Sequence, residues 1–436
     1  MKLNKLLLAM AASGIATSAF ATNGYFAHGN GMTAKGMGGA ATAMTKDAFG
    51  GANNPATMVW VGNRYDVGVD AFSPVRDASR SGSNTIAGTT GLGQSYSAYS
   101  QANLMPNQTV GSDNDLFAVP EFGYNKLINN SMSIGVTVYG NGGMNTDYAT
   151  QSGQNILGGT TALGVDLMQL IVAPTLSYKV SETTSVGISP LFGYQRFSAD
   201  GLQLFTSYSS AGTFLTNNGY DDASGFGLRA GFYSKLSDKV SVGAAYSSKV
   251  DMSKFDKYKG LFAEQGDFDL PANWNVGLTI QPDERLTIAL DFQRIEYSGV
   301  KAIANASTNI GALSQGATQY ALGADNGLGF GWSDMDIVKL GVEYKYNPKV
   351  IIRAGYSHTD APMTAANVTF NILAPAVIED HITFGMTYAM DKDSELTMSY
   401  THAVENSITG SNVMTYGTDT IKMHQNSIGI AYSKKF

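Results

Sequence analysis

The residues able to do chemistry are few and do not gather. The five histidines, His28, His358, His381, His402 and His424, lie far apart, with no metal-ligand spacing among them. No Gly-x-Ser-x-Gly turn presents a nucleophile. The glycines at 29–39 neither follow a strand pattern nor lead into the Lys-Ser or Lys-Thr of a phosphate-cradling loop. "SDND" at 112–115 carries carboxylates suited to calcium, but a solvated loop is the simpler reading. The sequence therefore predicts no enzyme, no metal and no cofactor. What remains is a set of cations able to meet a carboxylate. Lys254, Lys257 and Lys259 surround an apolar cluster, where they would attract either an acidic ligand or acidic surface lipid. Arg196, Arg229, Arg285 and Arg294 are candidates, by type alone, for a cation facing an interior.

Composition bounds the scaffold that must position these groups. The 436 residues include no cysteine and 50 glycines; 14% are charged and the net charge is −7. A soluble globular chain usually carries about 25% charged residues, and an acidic chain without a basic patch is a poor partner for nucleic acid. The 23 tyrosines and 20 phenylalanines suit strands and membrane interfaces. The first residues read as a secretory signal: Lys2 and Lys5, the apolar run "LLLAMAASGIA", then Ala19, Phe20 and Ala21 in the small-x-small order of a cleavage site. Residues 1–21 are expected to be removed, since an uncleaved anchor helix needs a longer apolar run. The lack of cysteine fits export to a compartment where no disulfide is needed here. No later run of about 18 apolar residues offers a membrane helix.

Beyond residue 60 the hydrophobic pattern has a period of two. Met132, Ile134, Val136 and Val138 alternate with small or polar residues, as do Leu286, Ile288, Leu290 and Phe292, and again Ile382, Phe384, Met386, Tyr388 and Met390. Such strands place one face in an apolar medium and the other in a polar one. A soluble sandwich would also alternate, with its apolar face inward. A membrane barrel is favoured by polar faces made mostly of Gly, Ser, Thr and Ala, and by Tyr344, Tyr346, Tyr388 and Tyr432 near strand ends, where an aromatic girdle belongs. Short turns at 127–131, 180–184, 236–239, 281–285, 346–349 and 390–394 alternate with long loops near 75–114, 143–165, 200–222, 251–268, 299–331, 360–378 and 407–423. Six turns and seven loops require fourteen strands, and an even count with one short side is the pattern of bacterial outer-membrane barrels. The last alternating run ends at Phe436, as a signal to the barrel assembly machinery would.

The expected barrel occupies residues 62–436, leaving 22–61 before its first strand. "GMGGAATAMTKDAFGGANNPATM" (36–58) is rich in Ala, Met and Gly and does not alternate. It reads as short helices broken at Gly36, at Gly38 and Gly39, and at Gly50 and Gly51, with Pro55 preventing continuation. A fourteen-strand barrel is wider than its own side chains can fill, so this segment is expected to form a mostly helical plug. The alternative is a disordered tail, which composition argues against because such tails are usually charged and rich in proline.

Within that segment and beyond it, the sequence resembles a known family. The run from Gly29 through "AKGMGGA" to "KDAFGGANNPA", followed by "KGLFAEQGDFDLPANW" (259–274) and "GLGFGWSDMDIVKLGVEYKY" (327–346), is similar to the FadL-type outer-membrane transporters of long-chain fatty acids, which include aromatic-hydrocarbon channels. The resemblance covers nearly the whole mature chain. It implies a monomeric fourteen-strand barrel in outer-membrane lipid, with an amino-terminal hatch that carries Asn53, Asn54, Pro55 and Ala56. It also implies passive movement of a long-chain fatty acid or other hydrophobic small molecule, which leaves sideways through a gap in the wall.

Each implied part has residues here. Gly140, Asn141, Gly142 and Gly143 end the third alternating run and match a kinked strand, although they equally suit the start of a loop. Asn53 and Asn54 are expected to bond backbone groups freed by that kink. Leu202, Leu204, Phe205, Phe214 and Leu215 in the third long loop, and Leu261, Phe262 and Phe268 in the fourth, match an outer capture groove. Packing of these loops on themselves is the alternative. Asn23, Gly24, Tyr25 and Phe26 occupy the position of an inner site. Long-chain fatty acid is the leading cargo, with an aromatic hydrocarbon, or a porin for hydrophilic solutes, as alternatives.

Overall fold

The computed structural model describes residues 23–82, 105–414 and 417–436, so the expected signal peptide at 1–21 lies outside the described residues. Fourteen antiparallel strands form a closed ring. They are β1 (Arg64–Ser81), β2 (Phe117–Asn129), β3 (Met132–Tyr148), β4 (Leu163–Lys179), β5 (Thr184–Asp200), β6 (Asp221–Lys235) and β7 (Val240–Ser247), followed by β8 (Asn273–Ile280), β9 (Leu286–Ile295), β10 (Met335–Asn347), β11 (Val350–Thr359), β12 (Asp380–Ala389), β13 (Ser394–Ser411) and β14 (Thr418–Lys435). Two short segments, Gln108–Gly111 and Asp251–Met252, pair with the upper parts of β1 and β6. The ring closes where β14 pairs with β1, from Arg64 opposite Lys435 to Ser81 opposite Thr418. Closure leaves neither the first nor the last strand with an unpaired edge in lipid, where each free backbone group would cost several kcal/mol.

The register settles which face is apolar. Val67 and Val69 on β1, with Ile428, Ile430 and Tyr432 on β14, are exposed on the outside, while Asp66 and Asp70 are buried inside. The same outward apolar and inward polar division recurs along β5, β10 and β12. This rules out a sandwich, whose apolar side would be covered. Tyr344, Tyr346, Tyr388 and Tyr432 point outward near the short-turn end.

Several expected loops are shorter than the pattern implied. β13 and β14 continue to Ser411 and from Thr418, so the region near 407–423 is mostly strand. β1 similarly runs to Ser81 and β3 to Tyr148. Above the lipid belt the pattern inverts, with Thr418, Thr420, Lys422 and His424 outward and Ile421 and Met423 buried inward, so the outward apolar alternation that marks a lipid-facing strand is lost there.

Residues 23–61 lie within the ring; most are buried and none is exposed. The mostly helical expectation is corrected here. One turn of α-helix, Met32–Lys35, and one 3-10 segment, Pro55–Trp60, are joined by turns. Pro55 starts the second segment instead of ending one, because its fixed φ suits the first position and its missing N–H is not needed there. Wall glycines give this backbone room. A side chain at Gly187 would strike the Pro55 main chain, one at Gly355 the Gly38 amide, and one at Gly429 the Met32 sulfur.

Candidate substrate path

The wall changes character halfway up β3. Below, β2 and β3 pair from Asn129 opposite Met132 up to Phe122 opposite Val138. Above that point β2 pairs only with β1, from Glu121 opposite Gly68 to Phe117 opposite Phe72. The upper β3 pairs only with β4, and its register slips between Gly140 and Gly142, leaving Asn141 as an extra residue. The four residues 140–143 thus lie within a strand that continues to Tyr148, not at the start of a loop. The interruption is bounded above, where Ser112 bridges to Tyr148 and the Asp113 amide donates to the Asp147 carbonyl at 2.8 Å.

The amino-terminal residues fill the vacated edge. The Ala27 amide donates to the Asn141 carbonyl at 3.0 Å, the Gly143 amide donates to the Tyr25 carbonyl at 3.2 Å, and Phe26 bridges to Gly142. A Cβ at Gly142 would strike the Tyr25 carbonyl, so only glycine allows this approach. Residues 25–27, and not Asn53 or Asn54, satisfy the freed backbone. This corrects the expectation for the two asparagines. Asn54 caps the 3-10 segment by accepting from the Ala56 amide, and its Nδ2 donates to the carbonyls of Thr42 at 2.8 Å and Phe232 at 2.9 Å. Asn53 Nδ2 donates to the Asn30 carbonyl at 2.9 Å.

Asn23, Gly24, Tyr25 and Phe26 converge on Tyr297. Its hydroxyl donates to the Asn23 carbonyl at 2.6 Å and accepts from the Tyr25 amide at 3.2 Å. Burial pushes the pKa of this hydroxyl well above its usual value, so it keeps its donated proton at physiological pH. Gly24 sits at φ 65°, and a side chain there would meet the Tyr297 ring. The Tyr25 ring lies 5.3 Å from Tyr297, 6.0 Å from Trp332 and 6.1 Å from Phe268. Tyr297 and Trp332 were not anticipated. They stand in and beside a long loop, where no period distinguishes a lumen-facing aromatic from one that only packs the loop.

The two outer clusters also differ from expectation. Leu202, Phe205, Leu215, Phe262 and Phe268 are buried, Leu204 and Leu261 are partly buried, and only Phe214, at 38%, counts as exposed. Instead of an open groove, Leu202, Phe205, Leu261 and Phe262 line an apolar cavity together with Phe197, Phe330 and Phe370 from other elements. The three lysines are engaged by the loops themselves. Lys254 Nζ donates to the Glu264 carbonyl, Lys257 Nζ to the Tyr220 carbonyl at 2.6 Å, and Lys259 lies 4.0 Å from the Phe214 ring centre.

Below the wall interruption is a second, polar cavity, lined in part by Phe26, Tyr139, Asn141, Arg229, Asn273 and Lys339. Arg229 alone of the four candidate arginines reaches it. Arg196 lies over the Tyr220 ring, Arg285 sits at a short turn, and Arg294 pairs with Asp334 and Asp336 at 3.0 and 2.9 Å. Arg229 donates to Asn273 Oδ1 at 2.8 Å, and Lys339 Nζ donates to the His28 carbonyl at 3.1 Å. Among the described residues neither cation has a carboxylate within ion-pair distance.

The fold has known counterparts. The Pseudomonas putida toluene transporter TodX superposes with a TM-score of 0.67 at 20% identity, covering 95% of this chain and 100% of that one. The Ralstonia pickettii toluene transporter TbuX gives 0.63 at 17% identity over 94% and 99%, and a Pseudomonas aeruginosa FadL homologue gives 0.66 at 15% over 95% and 100%. These likenesses establish a shared fold. No curated protein matches. Residues 8–435 match the family described as outer membrane protein transport protein (OMPP1/FadL/TodX). With that span and this barrel, the chain belongs to the OMPP1/FadL/TodX family of outer-membrane transport proteins.

Proposed function

We propose that this outer-membrane channel for hydrophobic compounds carries long-chain fatty acids, passively and as a monomer. Capture begins in the apolar cavity beneath the long loops. The cargo then passes to the polar cavity, and the amino-terminal residues withdraw from β3 to release it sideways near residues 140–143. The observation that carries this reading is the pair of lumen cations Arg229 and Lys339, next to Phe26 and Asn141, with no carboxylate of the described residues within ion-pair distance. The nearest acid in the lining is Asp291, across the strands from Lys339 and turned to the amides of Ala41 and Thr42. Buried cations are costly unless paired, and an incoming carboxylate would complete them while its chain lies along apolar side chains. A lateral exit also spares the chain from water, worth roughly 0.8 kcal/mol per CH₂.

A second reading, an aromatic-hydrocarbon cargo, is favoured by the upper cavity, whose lining has no charged residue. A porin for hydrophilic solutes fits poorly with a lumen filled by residues 23–61. The deciding experiment measures uptake of labelled oleate and labelled toluene by cells lacking their own channel. The cells carry either the natural protein or a variant with Gly140, Gly142 and Gly143 replaced by Val. Oleate uptake that is lost in the variant, with normal barrel assembly, supports fatty-acid cargo and the lateral route. Toluene uptake alone moves the cargo to the aromatic class, and passage of small sugars alone overturns the reading.

A further inference from the structure

Two arginines on the inner face of β1, four positions apart, are treated differently by the fold. Arg80 is fully matched, with Nε and Nη2 donating to the Asp419 carboxylate at 2.6 and 2.9 Å, both side chains being buried. Arg76 is only 3% exposed, yet no carboxylate among the described residues lies within ion-pair distance of it. Its guanidinium donates to two main-chain carbonyls, those of Asn145 and Asn114. Its Nε has no partner, and neither do two neighbouring buried groups, the Tyr148 hydroxyl and Asn145 Oδ1. A buried guanidinium whose direct partners are neutral carbonyls, with Asp115 acting on it only from beyond ion-pair distance, is poorly compensated, which folding alone would not favour.

Its position gives the charge a use. Asn145 is on the upper half of β3, above the register slip, and Asn114 follows the Ser112 bridge that closes the interruption from above. Arg76 therefore spans the upper edge of the break in the wall. The register also fixes its depth. Val75 lies opposite His424 and Asp77 opposite Lys422, whereas the outward apolar belt of β14 begins below them at Ile428. Arg76 is thus level with the polar band where outer-leaflet headgroups lie, beside an opening whose lower part faces the acyl chains.

We propose that Arg76, with the Tyr148 hydroxyl, binds the carboxylate of a departing amphiphile at the top of the wall opening while its chain enters the leaflet. The channel's cargo is then anionic amphiphiles in preference to neutral hydrocarbons. This rests on the lateral release of fatty acids proposed above, and it adds a second anion site beyond the Arg229 and Lys339 cavity. The same oxygen chemistry is offered by a phosphate of the surrounding outer-leaflet glycolipid.

The test compares the natural protein with Arg76→Gln and Arg76→Lys in the uptake assay, using oleate and a neutral partner, oleyl alcohol, after checking assembly by heat-modifiable gel mobility. Absence of oleate uptake by the natural protein would refute the fatty-acid reading itself, before Arg76 is in question. Given that uptake, Arg76→Gln is expected to lower oleate transport about tenfold, as for loss of a charged hydrogen bond, and to spare oleyl alcohol, with Arg76→Lys in between. Equal loss of both cargoes would show that Arg76 only braces Asn145 and Asn114, and no loss of either would remove its role altogether. A second arm uses purified protein in detergent with fluorescent cis-parinarate. Weaker binding by Arg76→Gln supports the cargo site. Unchanged binding, with loss of co-purifying glycolipid, would assign Arg76 to the lipid phosphate and overturn the proposal.

Discussion

The two ends of the hatch are held in opposite ways. Its carboxyl-terminal part is fastened around the ring by side chains aimed at its backbone. Asp66 accepts from the Ala48 amide at 2.7 Å, Asn125 donates to the carbonyls of Met58 and Gly62 at 2.8 and 2.7 Å, and Ser185 donates to the Ala56 carbonyl at 2.6 Å. Ion pairs of Lys35 with Asp70 and of Lys46 with Glu343, both at 2.7 Å, add to this. The amino-terminal end is held by the Tyr297 hydroxyl, by backbone bonds to an interrupted strand and by ring contacts of Tyr25 and Phe26. Its Asn23 side chain is buried with both polar atoms unpartnered. One end is a fixed base and the other a latch. On the lateral route proposed above, motion that opens a path is expected in residues 23–27, because breaking few bonds costs less than breaking many charge-assisted ones.

The strongest way to break this comparison is to weaken the base. One oxygen of Asp291 accepts from the amides of Ala41 and Thr42, both at 2.8 Å, and from the Thr42 hydroxyl at 2.7 Å. Asp291→Ala leaves those donors unmet, at about 1–3 kcal/mol each. The expected result is a hatch that detaches from the wall, with bilayer conductance and vancomycin sensitivity rising by an order of magnitude or more. A variant as tight as the natural protein would mean that the base is redundantly held, and the contrast between the two ends would shrink.

A smaller effect is expected at the latch. Tyr297→Phe removes one donor and one acceptor from the backbone of residues 23–25 while keeping the ring contacts with Tyr25 and Phe26. Loss of about 1–1.5 kcal/mol should raise amide exchange at residues 25–27 roughly tenfold and leave residues 48–58 unchanged. Equal acceleration in both regions would show that the hatch moves as one body.

The base was far more legible in the sequence than the latch. The alternating face gave the barrel and its strand count because lipid imposes one rule on every strand, as Val69 and Ile430 show. The hatch was visible in its small-residue composition, but its turns were not, since Pro55 can either end a helix or begin one. The break at residues 140–143 was visible as a glycine cluster. Its partner was misjudged because a bond from Ala27 to Asn141 joins residues more than a hundred positions apart, and side-chain chemistry alone pointed to asparagine. Loop aromatics such as Phe205 and Phe262 were found as a set, yet exposure is decided by what covers them, here Phe330 and Phe370, which no local pattern records. Among the cations, type could not separate Arg229 from Arg294. Only the fold supplied two aspartates to one and none to the other.

The smallest expected effect tests whether the latch senses the loops above it. Asp267 precedes Phe268, whose ring lies 6.1 Å from Tyr25. Partial burial, followed by the nearby Asp269 charge, pushes the Asp267 carboxyl up to about 6, against the relief from Lys249 and Lys254. A raised acid favours its protonated form in the packed loop, so this contribution is complete below the ordinary value near 4 and is lost as pH rises through about 6. Exchange at residues 262–268, corrected for its intrinsic pH dependence, should therefore quicken modestly between about pH 4 and 6, and residues 25–27 should follow if the aromatic contact transmits the change. Asp267→Asn cannot ionise and should exchange at the same slow rate across that range. A pH step confined to the loop, with the latch indifferent, would separate capture above from release at the wall. A step in both would join the upper cavity and the latch into one responsive unit over a base that stays still.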